Sequence, residues 1–161
     1  MDIYVLETNS WVIFGVLAFL TNLFITGGFA FAGFALPTER LLADSYYKIK
    51  KPSKLKSIYH FFRVDFFRKF LLATFWKNKA QRKKYFNGRA DGIKNLETQS
   101  KKSEFGHLIP FLLISAVSVY FIFIGYVELG LLTFFINWIG NWYPIILQRH
   151  HRMRISRLLR S

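Results

Sequence analysis

All 23 lysines and arginines of this 161-residue chain fall in two zones, residues 37–106 and 149–161. Outside those zones lie three stretches almost free of charge: Trp11 to Leu36, His107 to Tyr126 and Gly130 to Leu147. Their lengths of 26, 20 and 18 residues suit a bilayer that takes about 20 helical residues to cross. A soluble domain this small has too little interior for a chain that is 52% hydrophobic and 19% aromatic. A net charge of +14 is compatible with that hydrophobicity only if the two are kept apart. The sequence therefore reads as an all-α integral membrane protein. A single domain over 1–161 carries transmembrane helices at 11–36, 107–126 and 130–147, an interfacial and basic loop at 37–106, and a basic tail at 148–161.

The segregated charge also sets an orientation. Asp2, Glu7 and Glu128 are the only charged residues of the N-terminus and of the 127–129 link. Positive-inside bias then puts the N-terminus outside, with the loop and C-terminus on the cytoplasmic side of the cytoplasmic (inner) membrane. The opening MDIYVLETNS is acidic and lacks the basic start of a signal peptide, so the first apolar segment is expected to be retained. Residues 57–76 carry an aromatic stripe of Tyr59, Phe62, Phe66 and Phe70, broken by Arg63, Asp65, Arg68 and Lys69. Four charges at about 2.5–3.5 kcal/mol each make a crossing there costly, so an amphipathic interfacial helix is expected. Gly28, Ala32 and Ala35 offer a small-residue face to a neighbouring helix. The absence of cysteine excludes disulfides, thiolate metal sites and a cysteine nucleophile.

The short 127–129 link makes the last two segments an antiparallel hairpin. With Glu128 as its apex, His107 lies 21 residues before and Arg149 lies 21 after, which puts them at one depth. Glu104 shares a helical face with His107, and Asn141 lies two turns before Gln148 on nearly one face. A pocket follows, with Glu104 and His107 on one wall and Asn141, Gln148 and Arg149 on the other. Its chemistry is proton transfer and anion binding: a histidine base whose tautomer a carboxylate fixes, beside guanidinium and amide donors. Asn141 suits helix-to-helix glue as well as substrate contact. Arg154, Arg157 and Arg160 read as topology determinants. No metal site, phosphate loop or serine elbow is present by motif.

The pattern Asn141-x-x-Pro144-x-x-x-Gln148-Arg149-x-x-Arg152-x-Arg154 resembles the C-terminal signature of the small staphyloxanthin-type membrane acyltransferases. Lys102-Ser-Glu104-Phe-Gly-His107 is similar to their second signature, which opens a helix after basic residues. His150, His151 and Met153 stand where that family carries Tyr, Asn and Pro. The resemblance implies transfer of a fatty acyl chain to a sugar hydroxyl of a carotenoid glycoside, a step of carotenoid biosynthesis. It implies His107 and Glu104 as the reactive pair, and Asn141, Gln148, Arg149 and Arg152 as substrate-binding residues. His107 would take the acceptor proton while Glu104 orients its ring, with Gln148 or Arg149 on the acyl carbonyl. No bound cofactor is expected; acyl-CoA or acyl carrier protein would be the donor, and membrane lipid and a hydrophobic glycoside the partners. The alternative is a non-catalytic small subunit of a larger membrane protein complex. Specific nucleic-acid binding is not expected of the basic loop.

Overall fold

The computed structural model describes residues 2–74, 77 and 90–158, with side chains at 10–74, 77 and 92–157. All regular structure among them is helical. In chain order the helices are α1 (Asp2–Ala35), α2 (Asp44–Tyr47), α3 (Pro52–Phe61), α4 (Val64–Thr74), α5 (Ala90–Phe123), α6 (Val127–Asn137) and α7 (Tyr143–Leu158). A 3-10 turn at Thr38–Arg40 follows α1, and a π-helical turn at Trp138–Trp142 runs α6 into α7 without a break. Three helical runs are long and apolar enough to cross a membrane: Ser10–Ala35, Gly92–Phe123 and Val127–Arg157. Apolar residues such as Phe24, Phe31 and Phe123 project from them unburied, as lipid-facing positions do.

The hairpin turns earlier than its charge pattern suggests. Gly125 adopts φ +93°, a conformation that favours a residue without Cβ. The Tyr126 amide donates to the Phe121 carbonyl (2.9 Å) and the Gly125 amide to that of Ile122 (3.1 Å). These two bonds make a Schellman cap on α5. Glu128 thus lies in the first turn of α6 rather than at the apex. Just beyond it Gly130 permits intimate packing, because a Cβ there would come within 2.7 Å of the Ser118 carbonyl.

The crossing helices also run further than the apolar segments that mark them. Residues 90–106, read above as loop, form the first turns of α5, and much of the tail belongs to α7. The extension survives because the polar residues of the two helices there satisfy one another. The aromatic segment expected at 57–76 is two helices rather than one over residues 57–74, and residues 75 and 76 lie outside the described residues. Arg63, at φ 47°, separates α3 from α4. Tyr59 and Val64 are buried, while Phe66 and Phe70 of the expected stripe are exposed. Leu55, Tyr59 and Val64 pack with Ile146, Leu147 and Met153 of α7, and Phe67 and Leu71 lie against that cluster.

The first crossing presents a different face from the one its glycines and alanines suggest. A Cβ on Gly28 would meet nothing within 4 Å, whereas one on Gly33 would lie 3.1 Å from the Lys102 carbonyl. A Cβ on Gly106 would in turn lie 3.2 Å from Ala30 Cα. The inward stripe of α1 is therefore Ala18, Asn22, Thr26, Ala30 and Gly33, spaced three or four apart. Asn22 is buried, and its amide donates to the Thr133 carbonyl of α6 at 3.1 Å.

Candidate active site

Where α5 and α7 extend together, Glu104 is wholly buried and accepts hydrogen bonds from three side chains. Its Oε1 takes the Tyr46 hydroxyl (2.9 Å) and Arg149 Nε (2.8 Å), and its Oε2 takes Arg152 Nη2. Arg152 Nη1 also donates to Ser100 Oγ at 3.2 Å, and Ser100 Oγ donates to the Gln148 carbonyl at 3.1 Å. The guanidinium of Arg149 stacks on Tyr46 and that of Arg152 on Tyr47, at 5.0 and 5.2 Å from the ring centroids. One carboxylate against two guanidinium groups leaves a net positive clamp. Burial first, then the Glu104 charge, raises Tyr46 and pushes Tyr47 up to about 12, so both phenols keep their protons.

Deeper in the bundle the polar groups are neutral. Asn141, also fully buried, sits in the π-helical turn and faces α1 and α5 together. Its Nδ2 donates to Thr26 Oγ1 (2.9 Å) and to Asn137 Oδ1 (2.9 Å), and its Oδ1 lies 3.0 Å from His107 Nδ1. Asn137 in turn donates to the Phe111 carbonyl (3.0 Å) and to Ser115 Oγ (3.1 Å). This chain of donors fixes the tautomer of His107. Both Nδ2 hydrogens of Asn141 are committed to oxygens, so its Oδ1 can only accept, and His107 Nδ1 carries the proton.

Local backbone chemistry supports the arrangement. Pro144 has no N–H to offer the carbonyl four residues back, that of Gly140, and the helix widens into a π turn there. The freed Gly140 carbonyl lies within reach of the His107 ring. Pro110 does the same for Gly106 on the facing helix. Trp138 and Trp142, 5.2 Å apart between ring centroids, cover the outer side of the turn with Phe111.

His107 and Gln148 line one cavity of about 440 Å³, at the end of the bundle where Arg68 and Lys102 lie. That volume lies within the range of about 300–1,000 Å³ usual for small-molecule sites. Ala30 and Phe34 of α1, Leu71 and Leu72 of α4, and Leu96 and Leu147 make much of it apolar; Arg68, Lys102 and His151 bring charge or polarity. Arg149 is not on its wall.

The six residues singled out from the sequence therefore divide into two groups. His107, Asn141 and Gln148 belong to the cavity wall and its immediate support. Glu104, Arg149 and Arg152 form the clamp. No hydrogen bond joins Glu104 to His107; Asn141 holds the ring instead, and Glu104 is saturated by Tyr46 and the two arginines. The expected depth match also shifts, since His107 meets Asn141 and Arg149 meets Glu104. With the turn at Gly125, Tyr143 rather than Arg149 stands opposite His107, close to Asn141, while the long side chains of Arg149 and Arg152 reach Glu104 from further along α7. Thr26, Tyr46, Ser100 and Asn137 escaped the sequence reading. Asn22 and Thr26 left one signal, as polar residues four apart in an uncharged span. Among the described residues no cluster of three His, Asp or Glu side chains is arranged to hold a metal.

Three helices long and apolar enough to cross a membrane, with a histidine on the wall of a largely apolar cavity, give the class: a helical membrane protein with a candidate site between its helices. The profile of the glycosyl-4,4'-diaponeurosporenoate acyltransferase family matches residues 43–161. The chain belongs to that family, a family of acyltransferases in carotenoid biosynthesis. No curated protein and no solved structure matches the chain.

Proposed function

We propose that this chain is a membrane O-acyltransferase that moves a fatty acyl group from a thioester donor to a hydroxyl of a lipid-soluble acceptor, such as a carotenoid glycoside. The observation that carries this reading is His107, held through Nδ1 by the Asn141 carbonyl oxygen, which assigns the proton to Nδ1, and set in the wall of a largely apolar cavity. In that tautomer Nε2 keeps a lone pair and is the base. It takes the acceptor's proton as the hydroxyl oxygen attacks the acyl carbonyl. The Gln148 amide, on the same wall, meets the charge that develops on the carbonyl oxygen. Collapse of the tetrahedral intermediate breaks the carbon–sulfur bond, and the proton returns from His107 to the leaving thiolate.

Glu104 acts at one remove, by gathering Arg149 and Arg152 where α5 and α7 leave the apolar region. Apolar groups of Phe34, Leu71, Leu72 and Leu96 suit the acyl chain or the acceptor's hydrocarbon. Acyl-CoA and acyl carrier protein are both anionic, and the basic loop attracts either. The active end then faces the cytoplasm and the N-terminus the outside, with α3 and α4 at the interface.

The test is transfer of a radiolabelled acyl chain by the purified protein. His107→Ala should insert and fold normally yet transfer about 10²–10⁴-fold more slowly, as loss of a general base does. Unchanged transfer would remove His107 from the chemistry.

A further inference from the structure

Asn137 lies outside both sequence motifs, is wholly buried, and stands between Asn141 and the backbone of α5. We infer that Asn137 is a positioning residue for His107: anchored on the Phe111 carbonyl and acting through the Asn141 amide, it sets which ring nitrogen holds the proton. This rests on the reading of His107 as the base, and it names the group from which the tautomer of that base is set.

The inference follows from which groups can only accept. A side-chain amide can turn over and exchange its NH₂ for its carbonyl, so a direction must come from a group that cannot. The Phe111 backbone carbonyl is one: it carries no hydrogen, and it lies 3.0 Å from Asn137 Nδ2. Ser115 Oγ is a second. It spends its one hydrogen on the same carbonyl (2.6 Å) and so accepts from Asn137 Nδ2 at 3.1 Å. Asn137 must therefore turn its NH₂ to α5 and its Oδ1 to Asn141, which answers with its own NH₂ at 2.9 Å. The other end of Asn141 is then Oδ1, 3.0 Å from His107 Nδ1, and the ring proton sits on Nδ1. Turned over, Asn137 would set its oxygen 3.0 Å from the Phe111 oxygen with no hydrogen between them. The Thr26 hydroxyl, 2.9 Å from Asn141 Nδ2, donates as readily as it accepts and follows whichever face it meets.

The register of the hairpin keeps Asn137 beside Phe111. Gly130 lies against the Ser118 carbonyl, where a Cβ would come within 2.7 Å. From that contact Asn137 is seven residues on along α6 and Phe111 seven residues back along α5, so the two meet again two turns away. The Phe111 ring packs under Trp142, 5.6 Å between centroids, on the outer side of the same contact. With Asn137 and Asn141 both wholly buried, bulk water is no alternative partner for either amide.

Asn137→Leu keeps much of the side chain's volume and removes both ends of the amide. Asn137→Ser is a smaller change, and its hydroxyl carries no fixed direction. In Asn137→Asp the carboxyl still presents an oxygen to Asn141 and restores the direction. Full-length protein in detergent micelles, labelled with ring-¹⁵N histidine at a pH where His107 is neutral, reports the tautomer directly. The His107 signal is assigned by its loss in His107→Gln. Wild type and Asn137→Asp should show Nδ1–H with an unprotonated Nε2. Asn137→Leu and Asn137→Ser should add the second tautomer and lower kcat about tenfold with KM unchanged, a partial loss of the 10²–10⁴-fold that a general base supplies. Thr26→Val, which removes a partner without direction, should keep the single tautomer. The inference is overturned if a folded Asn137→Leu or Asn137→Ser keeps the wild-type ring spectrum, or if Thr26→Val adds the second tautomer. If the tautomer shifts as expected but wild type transfers no acyl group from acyl-CoA or acyl carrier protein, positioning by Asn137 stands and the catalytic reading of His107 falls.

Discussion

Glu104 and Asn141 are both fully buried, and the difference in their partners explains why they do different work. Glu104 is an ion among ions. Its two oxygens are taken by Tyr46, Arg149 and Arg152, so it has no capacity left to orient a histidine. Breaking such a buried pair from one side leaves uncompensated charge and costs about 3–5 kcal/mol. Glu104→Gln should therefore lower the thermal unfolding temperature and the yield of folded protein, with lost activity as a consequence. Thermal melts of detergent-solubilised protein would check this; a variant as stable as wild type but inactive would move Glu104 into the chemistry. Asn141 is neutral, and hydrogen bonds of its kind between membrane helices contribute about 0.6 kcal/mol each on average. Its value lies in direction rather than strength. Both residues were legible, Asn141 because an amide in an apolar stretch needs a partner and Glu104 because it lies three residues before His107 on one helical face. Their partners were not, because Tyr46 is 58 residues and Thr26 115 residues away along the chain.

At the scale of elements, small shifts in where a helix begins or turns decide which side chains meet. The turn at Gly125 and the π turn at Trp138–Trp142 together set the register between α5 and the third crossing. Gly130 holds that register by allowing α6 to lie against the backbone of α5. Gly130→Ala should cost about 1–3 kcal/mol, since its Cβ would press on the Ser118 carbonyl and Ile122. Gly28→Ala should be neutral or stabilising, because nothing lies near its Cβ and alanine suits a helix better. Denaturant titration of the two variants in micelles separates them; equal effects would mean that α1 and the hairpin pack otherwise. The existence of three long helices was readable from uncharged length alone. The face each presents was not, because a crossing that is apolar all round carries no amphipathic stripe to mark its inner side.

For the whole molecule, the cavity lies at the end of the bundle where Arg68, Lys102 and the clamp of Arg149 and Arg152 are gathered. A cysteine accessibility assay is well suited to this chain, which has no native cysteine. Single cysteines at Asp2 and Glu128 should react with an impermeant maleimide added outside intact cells. One at Lys77 should react only after permeabilisation, as the positive-inside bias of residues 37–106 requires. Labelling of Lys77→Cys from outside would invert the orientation and place the cavity on the other face.

Charge and hydropathy act residue by residue, so the sequence by itself determined what does not depend on contacts. The three crossings, the two basic zones and the hairpin follow from it, because lipid rejects charge and unpaired backbone wherever they fall. Its C-terminal motif also carried the family. Only the tertiary structure decided which polar groups pair. Glu104 turns to the arginines and not to His107, Asn141 takes the ring, and α1 brings Thr26 to Asn141. The physical reason is that a hydrogen bond is made or lost within about half an ångström, whereas a one-residue shift along a helix is about 1.5 Å of rise and 100° of rotation. Such register is set by glycine contacts and turn geometry far from the site.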